Sequence, residues 1–167
     1  YEAAELRDAN CPAVELNAVG FTLSELREAG YGTKELQDIG YGAEELRAAG
    51  VKLAELTEVG ATVAQLKEAG ISVIGLKAEG MPLAELKAAG YRLAELKSAG
   101  FSAHELRSVG YTATELTEVG FTAQELRSCG YSAAELSTSG CTVKALKDAG
   151  FSVAAMKKSS FGAEALI

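Results

Sequence analysis

Large apolar residues recur along this chain at intervals of ten, and polar residues fill a fixed set of positions between them. In blocks of ten counted from residue 1, the sixth position is Leu from Leu6 to Leu166, with Met156 as the single exception. The first position is always apolar and mostly aromatic, as at Tyr1, Phe21, Tyr31, Tyr91, Phe121 and Phe151. The third is Ala, Val or Leu except at Thr33. Gly holds the tenth position fourteen times in succession from Gly20 to Gly150, with Asn10 and Ser160 at the same place in the outer blocks. The phase never slips. Residues 1–167 therefore read as one continuous repeat domain with no linker and no internal boundary.

Each block predicts one short helix. In Phe21-Thr22-Leu23-Ser24-Glu25-Leu26-Arg27-Glu28-Ala29-Gly30, Thr22 and Glu25 have the spacing of a capping box: the hydroxyl accepts from the N3 amide and the carboxylate from the N-cap amide. Ser or Thr stands at this second position in nine of seventeen blocks, and Pro12 and Pro82 take it in two more. Gly30 falls where a chain leaving a helix turns left-handed, a conformation Asn10 also tolerates. Leu26 is spaced to meet Phe21 as a hydrophobic staple and Tyr31 across a Schellman turn. Positions three, six and nine form an apolar stripe, and positions four, five, seven and eight are expected to face water. A helix of six to eight residues does not hold on its own. Neighbours must stack, which predicts an all-α solenoid of sixteen or seventeen short helices.

The number of helices per superhelical coil stays open at this level. Two would give coils of twenty residues and a rod on the order of 70 Å at ordinary helix spacings; three or four would give a shorter, fatter body. A second fold also fits a period of five. Large apolar residues at positions one and six, with small ones two residues earlier, resemble the pentapeptide-repeat proteins and their quadrilateral β-helix. Against it, Lys34, Glu44, His104, Gln124 and Lys144 would point inward, and the Ala, Glu, Leu and Lys richness favours helix.

The unit [FY]-[ST]-x-x-E-L-[KR]-x-A-G resembles the tandem decapeptide arrays of algal, protist and bacterial proteins. That resemblance spans the whole chain and implies a short-helix array without a catalytic motif. Single units such as Leu53-Ala54-Glu55-Leu56 also resemble the first helix of small SAP-like helix-extension-helix modules, but the basic helix such modules place on DNA is missing.

Composition narrows the partners. A net charge of −7 and a pI near 4.9 argue against a nucleic-acid backbone. No uncharged stretch approaches the length of a membrane span. Glu2, Glu5, Arg7 and Asp8 occupy the place of a signal-peptide apolar core. The Glu column, present in twelve blocks, could form a carboxylate ladder for divalent cations, yet each Glu already has a capping role. The Ser/Thr column could suggest a flat ice- or carbohydrate-binding face, but its hydroxyls are N-caps and other residues interrupt it. Cys11 and Cys141 sit in the aromatic column and Cys129 in the small ninth column, so all three read as buried hydrophobes; a bridge could join Cys129 and Cys141, two blocks apart. His104 is expected to be solvated, with no nucleophile beside it. Block 71–80 departs most, through Ile74, Gly75 and Glu79, and marks a bend, a contact point or ordinary drift.

No catalytic, cofactor-binding or metal site is assigned on this reading. Tyr1 opens directly on the repeat and Leu166-Ile167 stop inside one, as in an excerpt of a longer array or a chain whose ends are covered by another copy or another protein. Residues 1–50 carry ten acids and four bases, whereas residues 151–167 carry one acid and two bases. This polarity suits head-to-tail contact, which need not close. The expectation is a non-enzymatic structural protein that stacks end to end or serves as a rigid spacer. The alternative is a protein-binding module that uses a lateral face.

Overall fold

A computed structural model describes residues 2–158. Two compact units divide between Met81 and Pro82. The first contains α1 (Ala3–Asp8), α2 (Ala13–Ala18), α3 (Leu23–Glu28), α4 (Thr33–Asp38), α5 (Ala43–Ala48), α6 (Leu53–Glu58), α7 (Val63–Glu68) and α8 (Val73–Ala78). The second contains α9 (Leu83–Ala88), α10 (Leu93–Ser98), α11 (Ala103–Ser108), α12 (Ala113–Glu118), α13 (Ala123–Ser128), α14 (Ala133–Thr138), α15 (Val143–Asp148) and α16 (Val153–Lys157). There is no strand among the described residues, so the array is helical and the pentapeptide-type β-helix is excluded.

The two ends of each helix are built as the repeat dictates. Thr22 is extended at φ −77°, ψ 160°, and its hydroxyl oxygen accepts from the Glu25 amide at 3.3 Å. Glu25 Oε2 accepts in return from the Thr22 amide at 2.7 Å and from the Thr22 hydroxyl at 2.8 Å. Where Gly32 or Gly42 is the N-cap only the glutamate half exists, because glycine has no side chain to offer. At the other end the Gly30 amide donates to the Arg27 carbonyl and the Tyr31 amide to the Leu26 carbonyl, the paired bonds of a Schellman turn. Gly30 has φ +91°, and Asn10 reaches the same left-handed region at φ 64°.

Helices this short are held by packing. The sixth-position leucines from Leu26 to Leu136 are almost fully shielded, each stabilising the fold by about 2 kcal/mol through burial. Within the first unit α1 packs on α3 and α5 on α7; within the second α11 packs on α13, α12 on α14, α13 on α15 and α14 on α16. Immediate successors such as α5 and α6, or α12 and α13, also touch. Each unit is therefore wound with two helices per coil, which settles the coil number the sequence left open.

Position three is buried at Ala103, Ala113, Ala123 and Ala133. Position nine is less regular: Ala69 and Ala149 are buried, whereas Val19 is 74% exposed. The expectation for position seven is corrected. Arg27, Lys87, Lys97 and Arg107 are half-buried rather than turned to water, because each spans to the next coil.

Candidate functional site

The feature that recurs along the array is this coil-to-coil step. A Schellman turn satisfies the carbonyls at positions six and seven but leaves the position-nine carbonyl at the negative end of the helix. A cation from position seven, 22 residues earlier, fills that place. Arg7 Nη1 donates to the Ala29 carbonyl at 3.2 Å, Lys87 Nζ to Val109 at 2.7 Å, Lys97 Nζ to Val119 at 2.6 Å and Arg127 Nη1 to Ala149 at 2.6 Å. Arg27, Arg47 and Arg107 donate in the same way to the carbonyls of Ala49, Ala69 and Cys129.

The same cations cover the aromatic residue two places beyond that carbonyl. Arg7 lies 5.5 Å from the Tyr31 ring centre, Lys87 4.1 Å from Tyr111, Lys97 4.6 Å from Phe121, Arg107 4.5 Å from Tyr131 and Arg127 5.2 Å from Phe151. A charge over a ring face is favourable, the more so when partly desolvated. Tyrosine adds a second tie: the Tyr31 hydroxyl donates to the Cys11 carbonyl at 2.6 Å, and Tyr131 donates to Tyr111. Burial pushes the Tyr31, Tyr91, Tyr111 and Tyr131 phenols above their ordinary values.

Glycine is favoured here by its dihedral, and at some steps a Cβ would also push the cation aside. A Cβ at Gly130, φ +90°, would lie 2.5 Å from Arg107 Nη1. At Gly40, φ +107°, it would meet nothing within 4 Å. The difference follows the coil. In odd-numbered blocks from the first to the fifteenth position seven is Arg7, Arg27, Arg47, Lys67, Lys87, Arg107, Arg127 and Lys147, all cations; in even-numbered blocks it is Asn17, Gln37, Thr57, Thr117 and Ser137 as well as Lys77, Lys97 and Lys157. With two helices per coil, odd and even helices stack as separate columns within each unit, so in each unit one column carries a cation at position seven of every helix and the other only at some. Comparing alternate blocks would have exposed this period of twenty in the sequence.

The residues singled out from sequence fall into place around the steps. Glu25, Glu115 and Glu125 are held below the usual carboxylate range, first by hydrogen bonds from the backbone amides of Thr22, Thr112 and Thr122 and then by those residues' hydroxyls. For Glu135 the Ser132 hydroxyl is the larger cause and the Ser132 amide the second. Each of these glutamates caps its helix. No group of three or more potential metal-ligating side chains occurs among the described residues. Cys11, Cys129 and Cys141 are free thiols and only half-buried, so the reading of all three as buried hydrophobes is too strong, and Cys129 and Cys141 are not bridged. His104 is exposed, as expected.

Ile74 is 63% exposed. Gly75 packs tightly enough that a Cβ there would lie 3.3 Å from Leu53 Cδ2. Tyr1 and Leu166-Ile167, on which the end-contact expectation partly rests, lie outside the described residues. Among the described residues no helix is long and apolar enough to cross a membrane.

A family model described as a decapeptide repeat region matches residues 1–73, 70–131 and 120–167, which together run the length of the chain. No curated protein and no solved structure matches.

Proposed function

The chain belongs to the decapeptide repeat family, and from that premise we propose that it is a non-enzymatic structural protein, a rigid scaffold whose coils can also stack between copies. The observation that supports this is the recurring step. A coil with the full step offers a cation on one side, and a C-cap carbonyl with a ring beyond it on the other, as between Arg107 and the Cys129 carbonyl and Tyr131 ring. Such a heterologous contact is satisfied equally by the next coil of the same chain or by a coil of another copy, and it does not close. The excess of acids over bases in residues 1–50 and the slight basic excess in residues 151–167 favour the same head-to-tail direction.

The test is electron microscopy and sedimentation of the purified chain across a salt series. Filaments or oligomers that shorten as salt rises fit the proposal, since partly exposed charge contacts are screened. Monomers at every salt concentration would overturn end-to-end stacking and favour a partner-binding role for a lateral face, for which exposed Ile74 is the first position to probe.

A further inference from the structure

We infer that the step between Gln37 and Ala61 is a binding slot for a small free aromatic molecule that carries a hydrogen-bond donor. A cavity of about 220 Å³ lies there, within the first unit, on Leu46 and Leu56 and beside Tyr41, Val59 and Ala61. Its floor is the apolar core, since Leu46 is 1% and Leu56 0% exposed. The spacing set by Arg107, Cys129 and Tyr131 places Gln37 where the cation belongs, Val59 where its carbonyl acceptor belongs and Ala61 where the ring belongs. Ala61 has no ring, and Gln37 has no charge. This step therefore lacks both groups that occupy the equivalent place around Arg107.

The walls are held in position without them. The Tyr41 hydroxyl donates to Asn17 Oδ1 at 2.9 Å. Gln37 Oε1 accepts from Lys34 Nζ at 3.5 Å. Gln65 Oε1 is engaged by the Thr62 amide at 2.8 Å and the Thr62 hydroxyl at 2.9 Å. An apolar cavity of about 150 Å³ is enough to admit benzene, so this slot has room for one ring or two fused rings. A donor on the ring would take the Val59 carbonyl in the role that arginine or lysine plays elsewhere. Phenols and indoles combine these properties. The inference is independent of the scaffold proposal, because an unassembled chain has the same slot.

Titration of the intact chain with indole, followed by NMR, tests it. The expected result is saturable one-to-one binding with shifts centred on Tyr41 and Ala61, and binding at least fivefold weaker for toluene, which lacks the donor. Ala61→Phe fills the slot and should weaken indole binding at least tenfold. Gln37→Arg, which competes for the Val59 carbonyl, should also weaken it and serves if the first variant does not fold. N-acetyltryptophanamide is the companion probe: exclusion of this ligand fits a free small molecule, whereas equal affinity would overturn that choice in favour of a partner's side chain. Absence of saturable indole binding, or binding undiminished in both folded variants, would overturn the slot itself.

Discussion

From Pro82 onward, Lys87, Lys97, Arg107 and Arg127 each reach a C-cap carbonyl and also lie over a ring. Up to Met81, Arg7 does both, whereas Arg27 and Arg47 reach their carbonyls with Val51 and Ile71 in place of the ring. At Gln37 and Ala61 the cation and the ring are both gone. The polar reach thus persists where the aromatic does not. It depends only on where a position-seven side chain stands relative to the helix end one coil away, while the ring adds apolar area and a surface for the charge. Among the described contacts that lie within one unit, the second unit has more of both. Its amides should exchange more slowly with solvent than those of the first unit, because local opening there breaks more interactions.

The largest expected effect should not separate the two units. Leu36 and Leu136 are both 0% exposed, so Leu36→Ala and Leu136→Ala should each cost about 2–5 kcal/mol in urea denaturation. A clear inequality would mean that the leucine ladder is not packed alike. The next effect should separate them. Both Gly130→Ala and Gly40→Ala force a Cβ into a left-handed turn, at about 1–2 kcal/mol, but only Gly130 has a cation against it. Gly130→Ala should be the more destabilising, and the excess should vanish in an Arg107→Met background. An excess that survives there would place its cause outside the step.

Arg107→Met alone should cost about 1–2 kcal/mol, through the lost charged hydrogen bond and ring contact. Gln37→Met should fall within roughly 0.5 kcal/mol of neutral.

The smallest effects are expected from pH, and they have opposite signs at the two extremes. The lowered pKa of Glu115, Glu125 and Glu135 means that the unfolded chain takes up protons first as pH falls. Their stabilisation is present above the ordinary carboxylate value of 4.5 and is lost as pH drops through the lower folded values. The raised pKa of Tyr91, Tyr111 and Tyr131 acts the other way: that contribution is present below pH 10 and declines as pH rises toward the folded values. Among the described residues of the first unit only Glu25 and Tyr31 have corresponding shifts, so hydrogen exchange at pH 4 and pH 10.5 should show the larger loss of protection in the second.

The ends of each helix were legible in the sequence because they are local: Thr22 and Glu25 are three residues apart, and Leu26 and Tyr31 five. The coil was not, because its bonds join residues 22 apart, as Arg127 and Ala149 do. Blocks written one under another make odd and even rows look equivalent, so the cations of position seven read as an ordinary solvated face. The slot at Ala61 was equally hidden. An alanine in an aromatic column looks like drift until the residue that should cover it is found at Gln37.

The central claim is that, within each unit, coils of two helices linked by these contacts form a rigid stack. Spin labels replacing exposed Ala94 and Ala154, three coils apart within the second unit, test it most directly by pulsed electron–electron distance measurement. At helix spacings of about 8–10 Å per coil, the account predicts one narrow distribution near roughly 24–30 Å. A broad distribution, or a mean well outside that range, would contradict it.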